Sequence, residues 1–142
     1  MSEIFNITIP AYYKYIKIFK DVTEGIMRCR VSDENEIYLV KLAVAEATTN
    51  IIKHSYCGEC NEEINLKVMM EGNKIEFLIR DFGKKVEIKD IKSRELDNYK
   101  ENGLGVHIIK SVMKSVEYRH MKVGTLLIMS KEIGEELVGI GK

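Results

Sequence analysis

The chain carries no net charge, only three cysteines, a single proline and no long apolar run. Its 22 lysines and arginines balance its 22 aspartates and glutamates. Nothing global therefore marks a nucleic-acid or membrane partner. Cys29, Cys57 and Cys60 are odd in number and too few for a disulfide framework. No segment approaches the roughly 20 apolar residues needed to span a bilayer. The start, "MSEIFNITIP", lacks the basic region and apolar run of a signal peptide, so a cytoplasmic protein is expected. No repeat, low-complexity tract or linker divides the chain, which reads as one domain over residues 1–142.

What is present describes a globular protein. Hydrophobic residues at 45% and charged residues at 31% exclude a disordered chain, and 142 residues suffice for one real core. "IFNITIP" alternates at Phe5, Ile7 and Ile9 and predicts a strand closed by Pro10. Residues 11–30 show helical spacing at Tyr12, Tyr15, Ile16 and Phe19. In "SDENE", Ser32 or Asp33 can cap a second helix that runs to about Lys53. Ile64, Leu66, Val68 and Met70, then Ile75, Phe77 and Ile79, alternate around the turn "EGNK" and predict a hairpin ending at Asp81. Residues 84–101 are dense in charge and read as a mobile surface segment. Val106, Ile109, Val112 or Met113, and Val116 predict a third helix after Gly105. "VEYRH" and "GTLLIMSKEI" predict a closing antiparallel pair. The expected fold is a two-layer α/β sandwich, its mixed, largely antiparallel sheet covered on one face by three helices.

Several points can carry chemistry. In "LAVAEATTN", Glu46 and Asn50 lie about 6 Å apart along the helix axis and share a face. Val40, Val44, Ala47 and Ile51 form a separate apolar stripe. The polar pair can face a cleft or form a solvated flank. Asp81, in Asp81-Phe82-Gly83, can accept from a ligand amine or cap its strand. Gly103-Leu104-Gly105 can cradle phosphate at a helix start or form a tight turn. It is neither a dinucleotide fingerprint nor a Walker loop, lacking the third glycine of one and the GK[ST] of the other. Gly124-Thr125 opens the last strand. His54, Cys57 and Cys60 stand at metal-ligand spacings, but a zinc site would want a fourth ligand, so the thiols are expected to be reduced in an ordinary loop.

In this order the segments resemble the ATP-binding domain shared by type II topoisomerases and histidine kinases, the GHKL or Bergerat fold. More closely, "LAVAEATTNIIKHSY", "RDFG", "GLGVHIIKSVMKSVEY" and "GTLLIMSK" resemble the bacterial anti-sigma factor serine/threonine kinases. The resemblance implies ATP and ADP as nucleotides, with Asn50 holding Mg²⁺ and Glu46 as general base toward a serine or threonine hydroxyl. Asp81 would read the adenine amine, Gly83 would let the backbone pass near the base, and Thr125 would stand beside them. Gly103, Leu104, Gly105 and Val106 would wrap the phosphates. It implies a kinase that phosphorylates an antagonist (anti-anti-sigma) protein, holds a sigma factor and forms a homodimer. The alternative is a catalytically weak, nucleotide-sensing partner-switch module. Lys85 stands where the family usually has a second glycine and favours that alternative, as intact Glu46 and Asn50 favour the kinase. Lys114 replaces an aspartate common in relatives. The helix at 11–30, with Tyr12, Tyr13, Tyr15, Phe19 and Met27, has more large apolar groups than one buried stripe needs, which suits dimerisation or sigma binding.

Overall fold

A computed structural model describes residues 2–83 and 105–134. Five strands, β1 (Glu3–Ala11), β2 (Cys60–Glu71), β3 (Lys74–Asp81), β4 (Ser115–His120) and β5 (Thr125–Glu132), form one sheet in the order β1-β2-β3-β5-β4. Every pairing among the described residues is antiparallel, where a mixed sheet was expected. Three helices, α1 (Ile16–Arg28), α2 (Glu34–Asn50) and α3 (Gly105–Val112), accompany it. α1 and α3 both pack on α2, and α2 reaches the central strand β3.

Alternation in the strands sorts the two faces. Ile64, Leu66, Val68 and Met70 of β2 and Ile75, Phe77 and Ile79 of β3 are all buried in the common core. The intervening residues are half-buried, as on a sheet covered on one side only. Val40, Val44, Ala47 and Ile51 bury the predicted stripe of α2. Asp33 is the cap: its Oδ1 accepts from the N–H groups of Asn35 at 2.9 Å and Glu36 at 3.3 Å. Such a cap contributes about 1 kcal/mol.

Four details differ from the sequence expectation. Pro10 does not end β1, since Ala11 still pairs with Cys60 after a register shift at Pro10/Ala11. A proline is tolerated there because β1 is an edge strand. The hairpin begins earlier than its apolar row, because Cys60 to Glu63 extend β2 alongside β1. α3 stops at Val112, and the Lys114 N–H turns to the Ser130 carbonyl at 2.8 Å. Val116 therefore lies on β4, paired with Met129. Finally, the aromatic surplus of residues 11–30 is mostly consumed. Phe19 and Met27 are fully buried, and the Tyr12 and Tyr15 rings meet edge to face. Tyr13 and Ile18 stay exposed. The charged segment at 84–101 lies outside the described residues.

Phe77 is fully buried on the central strand. Phe77→Ala is expected to cost about 3–5 kcal/mol of unfolding free energy in a urea titration. A loss below about 1 kcal/mol would contradict this packing.

Candidate functional site

The apolar row of β3, Ile75-Phe77-Ile79, continues in the same alternation to Asp81. A carboxylate thus takes the last core position of the central strand, with only 2% of its surface exposed. Its register partners are Ile64 on β2 and Thr125 on β5. Burial pushes the Asp81 carboxyl above the usual carboxylate range, against the pull of the Gly83 N–H, the Arg80 guanidinium, the Thr125 N–H and the Ser55 hydroxyl. The Gly83 N–H donates to Oδ1 at 3.0 Å. Thr125 is buried beside it, and its Oγ1 has no hydrogen-bond partner among the described residues. A buried hydroxyl left in this state carries a desolvation cost and is a ready place for a ligand's polar atom.

Two glycines allow the strand ends to close around this carboxylate. Gly124 has φ +73° and presses on the Asp81 carbonyl, so that an added Cβ would collide with that oxygen. Its part in the site lies in strand-end packing, which the sequence shows only as a glycine before the last strand. At Gly83 a Cβ would lie 2.5 Å from the Ser55 carbonyl oxygen. The space Gly83 leaves free is therefore filled by the chain that follows α2.

That chain is the π-helical turn Ile51–Ser55, which prolongs α2 as the sequence suggested. Such turns are rare and recur at functional sites. Upstream on α2, Glu46 and Asn50 are half-buried, one turn apart, beside the fully covered Ala47 and Thr48. The carboxylate and carboxamide are thus neither core nor free flank. On the other side of β3, the Arg80 guanidinium lies 4.3 Å from the centroid of the Phe82 ring and donates to the Asp81 backbone carbonyl.

The structure brings Asp81, Gly83 and Thr125 together at one end of the sheet, and a continuous helical path joins them to Asn50 and Glu46. Gly105 and Val106 open α3. Gly103 and Leu104 lie outside the described residues, as does Lys85. Cys29, Cys57 and Cys60 are free thiols; Cys57 is an exposed loop residue with φ 57°, and Cys60 starts β2.

The direction of the Asp81 shift has a consequence for stability. A carboxyl whose folded value is raised stabilises the fold only while protonated. Its contribution is present below the ordinary value of 3.8 and is lost as pH rises through the raised range. Asp81→Asn removes this titration. The stability of the variant relative to the native chain is expected to improve from pH 4 to pH 7, read from urea midpoints. A constant or opposite difference would refute the burial effect.

Residues 9–131 match the family described as the histidine kinase-like ATPase domain. The chain is 29% identical over 144 aligned residues to "Serine-protein kinase RsbW" of Bacillus thuringiensis strain Al Hakam, covering 96% of this chain and 89% of that protein. The serine-protein kinase RsbW of Bacillus cereus is similar to the same extent. Among solved structures, the histidine kinase domain of a blue-light activated histidine kinase from Erythrobacter litoralis superposes with a TM-score of 0.58 at 15% identity. That match covers 88% of this chain and 62% of the other, and at this identity it speaks for the fold alone. With the family matching most of its length, the buried-aspartate sheet end and its helical floor are those of a chain that belongs to the histidine kinase-like ATPase domain family.

Proposed function

We propose that this protein is an ATP-dependent serine/threonine-protein kinase of the anti-sigma type. It would transfer phosphate to a serine or threonine of an antagonist (anti-anti-sigma) protein and hold a sigma factor in alternation with it. The observation that carries the nucleotide part is the buried Asp81 carboxylate beside the Thr125 hydroxyl, which has no partner among the described residues, at the end of the central strand. A carboxylate in that setting suits an amine-bearing base, and a hydroxyl beside it can both donate and accept. The likeness to serine-protein kinases over nearly the whole chain supports the choice of reaction.

The donor set also suits magnesium. Among the described residues no three His, Cys, Asp or Glu side chains gather as a ready-made metal cage. Asn50 would hold the ion through its one hard carboxamide oxygen, a donor type that suits magnesium. When bound, magnesium supplies neutralisation of the phosphate charge. The chain's own residues do the rest. Glu46 takes the proton of the attacking hydroxyl, whose oxygen forms a bond to the γ-phosphorus as the bond to the β-γ bridging oxygen breaks and ADP leaves. Asp81 and Thr125 hold the base. By the resemblance, Gly103, Leu104, Gly105 and Val106 would flank the phosphates, with the amino terminus of α3 favouring their charge.

The partners are two proteins, a sigma factor and the antagonist, and a second copy of the chain, with no nucleic acid or lipid bound directly. Exposed Tyr13 and Ile18 offer apolar surface for one of these contacts. No helix among the described residues is long and apolar enough to cross a membrane, and the cytoplasm is the proposed compartment.

The deciding experiment is a calorimetric titration with ATP and ADP, with and without Mg²⁺. Metal-dependent binding at one nucleotide per subunit is expected, and Asp81→Asn is expected to weaken it by about 1.5–3 kcal/mol. Absence of binding at millimolar nucleotide would overturn the kinase and leave a partner-binding scaffold, the role that Lys85 in place of the family's glycine would suit. Glu46→Ala is expected to bind ATP normally while transfer to an antagonist falls by about 10²–10⁴-fold. Transfer at the native rate would remove Glu46 from the base role.

A further inference from the structure

Tyr56 joins three segments around the site at once, the π turn, β2 and the turn after β3. Its hydroxyl accepts from the Phe82 N–H at 2.9 Å and donates to the Glu63 carbonyl at 2.6 Å. Glu63 precedes Ile64, the register partner of Asp81, just as Phe82 follows Asp81, so the hydroxyl sits between neighbouring backbone groups of the two strands. The tyrosine hydroxyl thus bridges β2 to the residue that follows β3. The ring takes up space beside Gly83, where an added Cβ would lie 2.9 Å from Tyr56 Cδ1. The Tyr56 N–H closes the π turn on the Ile51 carbonyl at 3.0 Å.

These contacts form a latch between two elements of different origin. Ser55 and Tyr56 end the helical path that carries Glu46 and Asn50. Phe82 and Gly83 follow the aspartate on β3. Besides the latch, the turn after Asp81 is held by the Gly83 N–H bond to its own carboxylate, the Ser55 hydroxyl's pull on it and the Arg80 guanidinium over the Phe82 ring. Burial pushes the phenol up to about 12, so it keeps its proton and stays a donor to Glu63 throughout the neutral range.

We propose that Tyr56 is a positioning residue that sets base specificity, its hydroxyl holding the Phe82 N–H so that the Asp81 carboxylate stays aimed at the exocyclic amine of adenine. This rests on the nucleotide reading above and goes beyond it by naming what makes Asp81 selective. Tyr56 does not touch the reacting atoms; it acts through the turn.

The test compares ATP with ITP, which carries a carbonyl where adenine has its amine, against the native protein and Tyr56→Phe. The native protein is expected to prefer ATP. Tyr56→Phe is expected to lose about five- to tenfold in ATP affinity and less than about twofold in ITP affinity, so that the preference shrinks. An equal loss for both nucleotides, or no loss, would overturn the proposal. A native protein that binds both alike would instead overturn the nucleotide reading beneath it. Amide hydrogen exchange at Phe82, measured by NMR without any nucleotide, gives a second readout. The exchange rate is expected to rise at least several-fold in Tyr56→Phe while the helices of the core keep their protection. An unchanged rate would sink the latch whatever the affinities.

Discussion

The structure turns on a carboxylate placed where a hydrophobic residue belongs. β3 is the central strand, its inward row is Ile75, Phe77 and Ile79, and the next inward position is Asp81. Burying such a group without donors costs several kcal/mol, so everything around it must either supply hydrogen bonds or move close enough to do so. The Gly83 N–H is supplied by a sharp turn directly after the strand. The turn closes only because residue 83 has no side chain and the Ser55 carbonyl can sit against it. Gly124 serves the same closure from β5, in a left-handed conformation that other residues rarely adopt. One polar residue at the end of a core row thus accounts for two glycines and a serine in three separate segments.

α2 is the second half of the arrangement. A helix packed between α1 and α3 over the central strand has little surface left, and Glu46 and Asn50 occupy part of that remainder. The π turn then carries the chain from this helix to the end of β3. Because its closing bond spans five residues, Ser55 and Tyr56 reach the strand end together instead of continuing the α-helical path. The strand end and the helix face are consequently set relative to one another by hydrogen bonds within a few residues of both. This is a more rigid support than a free loop would be.

This explains which features were legible in the sequence. The row of β2, the row of β3 and the stripe of α2 each follow from a local period, and the period survives in any tertiary setting that covers one face. A cap at Ser32 or Asp33 was legible because cap bonds are local, and the structure gives the place to Asp33, whose bonds reach only to Asn35 and Glu36. Asp81 and Thr125 could be singled out separately, while their pairing depends on the β3–β5 register, which no local pattern encodes. The same holds for Gly124, whose need for a missing side chain arises from a strand distant in sequence. Pro10 looked like a strand end because its ring removes a donor, but on an edge strand a missing donor is tolerated. Val116 was misplaced because a helical spacing can continue across a helix end when the next strand supplies an apolar residue at the right interval. The excess of aromatics in residues 11–30 shrank once Phe19 and Met27 went inward and Tyr12 donated its hydroxyl to Asn61.

A site built this way is at odds with the stability of the free protein. The raised Asp81 carboxyl and the Thr125 hydroxyl, without a partner among the described residues, both hold the folded state below what an apolar pair would give. A ligand that donates to the first and bonds the second removes those costs only in the folded state. Binding and folding are then linked through the same atoms, and stability rises with ligand by about 2.7 kcal/mol at a hundredfold excess over Kd. The Tyr56 latch belongs to the other side of this balance. Its bonds to Phe82 and Glu63 exist before any ligand arrives, so the cost of ordering the turn is met during folding. What the ligand meets is a carboxylate already oriented, and preorganisation of this kind yields selectivity from a single hydrogen-bonding group.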